Sequence, residues 1–414
     1  MLINYEKMLS EMSLQQIDAL IASNCENVYY AASFQTNSTY RYKYGRVRAH
    51  CVHLRSDILN PVLIVPVDLL AHLAVSPSWV KDIRSYGNYY VFGQDNALLS
   101  DAAGQFLYYM RNCPHYATAD DALADVLREK GLQRARIAID ETNLPPGAWD
   151  HIVDVAPKAS IVRGNGIFKK IRMIKSIGEI ELIKESTRVN DEAVRKVIEA
   201  VKEGASEMDL YHCYRHHLVE RDSHLGFYTT GCGNRSGAVY SVPPSNVILK
   251  KGDSIRLDVG CTYRGYWSDT ARTIFLGKPS NVKYQHFDAI RKGVFAGEKM
   301  LRPGLRVSEL FSEMVNTVRE SGIPEYNRHH VGHSMGLETY EAPLIIPSDE
   351  PGASDRYIAG DWEMTIEENM ILNLECPFYH LSIGGVQFEE TYLITKTGYV
   401  RLSALDREAY VVDN

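Results

Sequence analysis

The 414-residue sequence predicts two domains, an α/β domain over residues 1–165 and an α+β domain over residues 166–414. Three observations predict this. The chain is longer than a single hydrophobic core usually sustains, so two domains are the default. Up to residue 160, short strand-like runs alternate with helical stretches, the signature of an α/β arrangement. From Asp258 onward, helices are mixed with strand patterns that carry acidic side chains.

In the first domain, Asp18-Ala19-Leu20-Ile21 and Pro61-Val62-Leu63-Ile64-Val65 read as strands, and Ala119 to Arg128 as a helix. A basic linker near residues 167–175 leads into a long polar helix. Its apolar positions, Ile180, Ile183, Val194, Val197, Ile198 and Val201, keep close to the 3.6 period. Tyr211 to His217 falls in a further helix, where His212 and His216 share a face at i, i+4. That face reads as solvated or substrate-facing rather than metal-binding. Tyr284 to Met300 is helical. No internal repeat or low-complexity tract is present.

Leu257 to Thr273 reads as two strands joined by a glycine-containing turn. Asp258 and Asp269, eleven residues apart across that hairpin, can converge on one point, and divalent cations take carboxylate oxygen readily. Alone, the pair is equally a solvated turn. Three further residues change the balance. Glycines on both sides of His333, at 332 and 336, let the backbone approach closely and are expected to leave the imidazole uncovered. Glu375 follows the apolar strand Met370 to Leu374, and Glu389 sits in the strand pattern Gly384 to Ile394. A glutamate closing or interrupting an apolar strand is costly unless it is paired or metal-bound.

The stretches D-x-G-x(4)-G-Y-x-x-D-x-x-R-T, H-x-x-x-H-x-x-G-L-E, the strand ending at Glu375 and G-V-x-x-E-[DE]-T resemble, in order and spacing, the pita-bread metallohydrolases: prolidase, aminopeptidase P and methionine aminopeptidase. Upstream, Arg172-Met173-Ile174-Lys175-Ser176-Ile177-Gly178-Glu179-Ile180 is similar to the segment that opens the catalytic domain in the prolidase, aminopeptidase P and creatinase branch. Asn27-Val28-Tyr29-Tyr30 is similar to a stretch of that branch's N-terminal domain. The resemblance thus covers essentially the whole chain and implies a creatinase-like N-terminal domain and a pita-bread catalytic domain.

The same resemblance implies a site with two divalent ions. Asp258 would hold one, Asp269 and Glu389 would bridge both, and His333 with Glu375 would complete the second. A hydroxide held between the ions would attack an amide carbonyl, with Glu375 carrying the proton to the leaving nitrogen. One nitrogen among four carboxylates favours Mn²⁺, with Fe²⁺, Co²⁺ or Zn²⁺ as alternatives. The implied function is hydrolysis of Xaa-Pro peptides. His329 would face the substrate and His330 would point away. Relatives are commonly dimers, so a homodimer is expected.

The chain departs from that pattern at four positions. Tyr240 and Tyr340 stand where the peptidases carry two substrate or oxyanion histidines, Gln387 replaces the arginine of G-V-R-x-E, and Ala271 replaces a threonine. A tyrosine can still donate one hydrogen bond to an oxyanion, but it brings no positive charge. The two tyrosines are therefore either inert packing, in a chain with 26 of them, or the mark of another substrate. The alternative function is a relative acting on a small non-peptide amide or C–N bond, or a metal-dependent lyase of an osmolyte with tyrosine as general base.

A net charge of −7 without a basic stripe argues against nucleic acid as a partner, leaving a small molecule or short peptide. No apolar run approaches membrane-spanning length and no secretory leader opens the chain. The seven cysteines are scattered, without a C-x-x-C pair, and read as free thiols of a reducing, cytoplasmic compartment. Cys261 and Cys376, although beside ligand positions, read as small packing residues.

Overall fold

The alternation of short apolar runs and helical stretches at the start of the chain builds one mixed seven-stranded sheet. The computed structural model describes residues 2–35, 49–92, 100–142, 144, 147–238, 243–347 and 364–413. The chain divides into two units, Met1–Ile171 and Arg172–Asn414. In the first, β1 (Ala19–Ala22), β2 (His50–Leu54), β3 (Asp57–Pro66), β4 (Asp82–Tyr86), β5 (His115–Tyr116), β6 (Arg136–Ile139) and β7 (Ser160–Arg163) stand in the order β5-β4-β3-β2-β1-β6-β7. β1, β2 and β3 form an antiparallel meander, and the outer strands join in parallel.

Six helices accompany this sheet among the described residues: α1 (Tyr5–Leu14), α2 (Cys25–Ala32), α3 (Leu70–Val75), α4 (Asp101–Asn112), α5 (Ala119–Glu129) and α6 (Ala148–Val155). α5 forms where the sequence predicts a helix because Thr118 and Asp121 close a capping box. Its apolar stripe, Ala122, Leu123, Val126 and Leu127, packs on Ile21, Val62, Ile64 and Ile137 of the sheet.

α7 (Asn165–Met173) runs across the division between the units, and α8 (Ile177–Ala200) follows, capped by Ser176 and Glu179 in a second capping box. Along α8, Ile180, Ile183, Val194 and Val197 are buried, as the 3.6 period predicts; Val201 caps the helix, buried too, while Ile198 is only partly covered.

Among its described residues the second unit contains two five-stranded sheets. The first holds β8 (His224–Cys232), β9 (Ser254–Tyr263), β10 (Tyr266–Trp267), β11 (Thr270–Leu276) and β17 (Tyr410–Val412), in the order β10-β9-β11-β17 with β8 paired to β9. The second holds β12 (Gly332–Ser334), β13 (Glu341–Leu344), β14 (Ile371–Phe378), β15 (Val386–Thr395) and β16 (Gly398–Arg401), in the order β13-β12-β14-β15-β16.

α8 and α9 (Glu207–Glu220) cover the first sheet through Val194, Val197, Leu210 and Tyr214. α10 (Asn281–Met300) and α11 (Val307–Glu320) cover the second through Phe287, Val294, Leu310 and Met314. The sheets are stitched along β11 and β15. The Thr273 hydroxyl donates to the Gln387 carbonyl and accepts from the Gln387 amide, each at 2.9 Å, and Arg272 pairs with Glu390 at 2.7 Å. This seam brings the acidic residues of one sheet opposite those of the other.

Two expectations shift in detail. β14 does not stop at Leu374: Glu375 lies inside it, hydrogen-bonded through its amide to Val331, with the strand continuing to Phe378. The turn of the predicted hairpin is Arg264-Gly265, both with positive φ (48° and 83°), the left-handed pair that a tight two-residue connection needs.

Candidate metal centre

Each acidic side chain is placed by strand register. Asp258 sits mid-strand in β9, opposite Ala271, and Asp269 lies between β10 and β11. Glu375 and Glu389 are direct cross-strand partners in β14 and β15. Like charges directly opposite on antiparallel strands are destabilising unless something positive lies between them. His333 stands in β12, next to β14.

Asp269, His333 and Glu389 each offer a ligand atom within 4.8 Å of the others, and all three are buried. His333 Nδ1 donates to the Ser334 carbonyl at 3.0 Å, which leaves Nε2, 3.5 Å from Asp269 Oδ2, as the free lone pair. That is the tautomer a metal ligand requires. Asp269 Oδ1, Glu389 Oε2 and Asn373 Oδ1 are buried without a hydrogen-bond partner. Orphaned acceptors of this kind are rare in folded proteins, and so many in one place fit a cation. Asp258 and Glu375 flank this trio rather than joining it.

Electrostatics agree with the geometry. Burial, then Asp269, raises the Asp258 carboxyl to about 7, with Arg256 opposing. Burial, followed by Asp269, Asp258 and Glu375, lifts Glu389 well above the usual carboxylate range. Glu375 behaves oppositely: burial would raise it, but His330, then Arg328 and His333, hold it at about 2.

Two expectations about the histidines are corrected. His330 does not point away. It is buried, and its Nδ1 lies 3.0 Å from Glu375 Oε1. His329 is exposed and packs edge-on against His330, with centroids 4.6 Å apart. Nor is the His333 imidazole uncovered: it is 1 % exposed, and the Tyr340 ring stacks on it at 4.0 Å. The flanking glycines do serve close approach. A Cβ at Gly332 would meet the Asn373 carbonyl oxygen at 2.2 Å, and one at Gly336 would meet the Glu341 carboxylate at 2.7 Å. Gly332→Ala is therefore expected to push β12 off β14, displacing His333. The check is Mn²⁺ titration, and undiminished binding would refute it.

Tyr340 is 41 % exposed, yet its hydroxyl pKa is pushed upward, by burial first and then by Glu375, Asp269, Asp258 and Glu389. It therefore stays protonated, a hydrogen-bond donor rather than a base. Tyr240 lies outside the described residues. His212 and His216 are exposed on α9 and belong to no metal-binding group among the described residues. Cys261 and Cys376 are buried free thiols.

Sequence reasoning missed three supports of the site. Arg256, fully buried in β9, donates to Gln387 at 3.0 Å, and Gln387 donates to Asp258 at 3.1 Å. Asn373 donates to Glu389 at 2.7 Å. Glu341, beside Tyr340, accepts from Arg172 and from Lys175 (2.7 Å), both buried. The supposed basic linker thus supplies a clamp on the loop behind His333. Arg256 was visible in sequence: a charge between Ile255 and Leu257 is the same anomaly that singled out the glutamates.

Residues 181–396 match metallopeptidase family M24, and residues 5–174 match the creatinase/prolidase N-terminal domain. A Xaa-Pro dipeptidase from Pyrococcus horikoshii is 29 % identical over 281 residues, 67 % of this chain and 76 % of the relative. Among solved structures, the prolidase from Pyrococcus horikoshii superposes with a TM-score of 0.72 at 24 % identity, covering 97 % of this chain and 98 % of that one. The X-Pro aminopeptidase from Thermotoga maritima gives 0.74 at 19 %, covering 99 % of each. These superpositions establish the fold, a creatinase-type N-terminal domain followed by a pita-bread catalytic domain.

Proposed function

Because the chain belongs to metallopeptidase family M24, we propose that it is a metal-dependent peptidase acting on Xaa-Pro peptides. The observation that carries this reading is the buried convergence of Asp269, His333 and Glu389 around oxygens that have no hydrogen-bond partner. The Xaa-Pro dipeptidase among the relatives supports the substrate class.

Asp258, Asp269, His333, Glu375 and Glu389 would hold two divalent ions. When bound, such ions polarise the substrate carbonyl and lower the pKa of water by many units. Glu375, kept anionic beside His330, takes the proton of the attacking water and delivers it to the leaving nitrogen. Tyr340, protonated, donates to the developing oxyanion in place of an imidazolium. His329, exposed at the site's edge, contacts the substrate.

Mn²⁺ is the proposed metal, since one imidazole among four carboxylates suits a hard or borderline ion. The seven free cysteines suit a reducing, cytoplasmic compartment, and a homodimer is the proposed assembly.

The test is hydrolysis of Xaa-Pro dipeptides and Xaa-Pro-containing tripeptides by Mn²⁺-loaded protein beside the Glu375→Gln variant. Turnover is expected in the first and background in the second. Stoichiometric metal without Xaa-Pro turnover would overturn the peptidase reading and move the search to small non-peptide amides.

A further inference from the structure

We infer that Arg256, acting through Gln387, is a positioning residue for Asp258, so that the cation missing from position 387 is supplied by the neighbouring sheet. Arg256 and Asp258 are two residues apart on β9 and so share a face of the strand. The guanidinium is held on several sides. Its Nε donates to the Ser236 carbonyl at 3.2 Å, its Nη1 donates to Gln387 Oε1 at 3.0 Å, and the Tyr379 ring caps it at 5.2 Å. Nη1 is also 3.7 Å from Asp258 Oδ2.

The chemistry fixes the direction of the relay. A guanidinium can only donate and an ionised carboxylate can only accept, so the amide between them must turn its oxygen to Arg256 and its nitrogen to Asp258. A glutamine amide does both while staying neutral. Glutamate at 387 would repel Asp258, and arginine there would crowd a second guanidinium against Arg256. The glutamine and the arginine are therefore a matched pair across two strands from different sheets.

Arg256 is 0 % exposed and Gln387 1 %, so neither reaches substrate; their effect passes through Asp258. The relay restricts the Asp258 carboxylate to one orientation and offsets part of the negative charge of the four clustered acids. Both effects act on the ion that Asp258 holds more than on the one at Asp269, His333 and Glu389.

The inference rests on the two-ion reading above, and the experiment separates the two. Mn²⁺ alone is titrated into chelator-stripped full-length protein by calorimetry, for the native chain, Arg256→Leu, Gln387→Met, Gln387→Arg and the Arg256→Leu/Gln387→Arg double variant. A native chain that binds no Mn²⁺ sinks the metal-centre reading itself. If it binds two ions, Arg256→Leu and Gln387→Met are each expected to weaken one ion by about 10–100-fold and to leave the other near native affinity. Gln387→Arg alone should weaken the same ion.

The double variant restores a single guanidinium beside Asp258 and should recover at least about tenfold over Arg256→Leu, half or more of the loss on a logarithmic scale. Native stepwise affinities in Gln387→Met, or a double variant no better than Arg256→Leu, would overturn the proposal. A merely structural role would lower the melting temperature without separating the two ions. Should Arg256→Leu fail to fold, Gln387→Met, which leaves the arginine in place, still decides.

Discussion

Glu389→Gln is expected to abolish metal-dependent turnover and, at the same time, to raise the melting temperature of the chelator-treated protein. Glu389 faces Glu375 directly across the strands and has Asp269 and Asp258 as neighbours. Its carboxyl is lifted well above the usual range, by burial first and then by those acids. A group whose folded pKa is raised favours the fold at low pH, and that contribution is lost as pH rises toward the folded value. At neutral pH the metal-free protein therefore carries an unfavourable term that the amide removes.

The substitution keeps the shape, and the side-chain oxygen can still accept from Asn373. By analogy with buried ionic groups replaced by neutral residues of similar volume, the expected gain is up to ~4 kcal/mol, or up to roughly 15 °C for a unit of this size. The measurement is a pair of thermal scans with and without Mn²⁺. The metal-free gain should widen as pH is raised, and Mn²⁺ should stabilise the native chain far more than the variant. A lower metal-free melting temperature in the variant would show that Glu389 is held by its protein partners and is not waiting for a cation.

Glu341→Gln should act in the other direction, with a large loss of stability. Glu341 is buried, and although burial would raise its pKa, Arg172 and Lys175 outweigh that and hold it at about 2. It also accepts from the Leu337 and Glu338 amides, so it fastens the loop that carries Tyr340. Removing the charge takes from Lys175, fully buried, the carboxylate it donates to, and leaves Glu179 as its remaining anionic neighbour beside the Arg172 carbonyl and the Ser334 hydroxyl. Breaking a buried pair in this way costs about 3–5 kcal/mol, or roughly 6–20 °C.

The sign with pH follows from the depressed pKa. The Glu341 contribution is fully present above the unfolded value near 4.5 and is lost as pH falls from there toward 2. The gap between native and variant melting temperatures should therefore narrow across that acidic window. A gap that is constant with pH would mean that packing, not charge, is what the substitution disturbs.

What could be read from sequence followed from local rules. The α5 and α8 helices announce themselves through Thr118 with Asp121 and Ser176 with Glu179, because capping is decided within four residues. The acidic positions stood out because a carboxylate in an apolar strand contradicts its surroundings. What could not be read depends on which strands become neighbours. Nothing local to Gln387 shows that its partner lies 131 residues earlier. Likewise, adjacent histidines at 329 and 330 cannot be told apart until β12 is docked on β14. Only then does it emerge that His330, not its neighbour, meets Glu375. Arg172 and Lys175 read as part of a basic linker because their partner Glu341 is remote in the chain.

That clamp also bears on where the catalytic half of the molecule can be cut. The family match begins at residue 181, yet Arg172, Lys175 and the Ser176 cap all precede it. A gene truncated at the start of the match would encode every residue of the metal centre and still yield a poor protein. α8 would lose its cap and its first turn, and Glu341 would be buried without Arg172 and Lys175. The short stretch between the two halves is therefore a component of the second one, and recombination or domain exchange that preserves function has to carry it along with the catalytic portion.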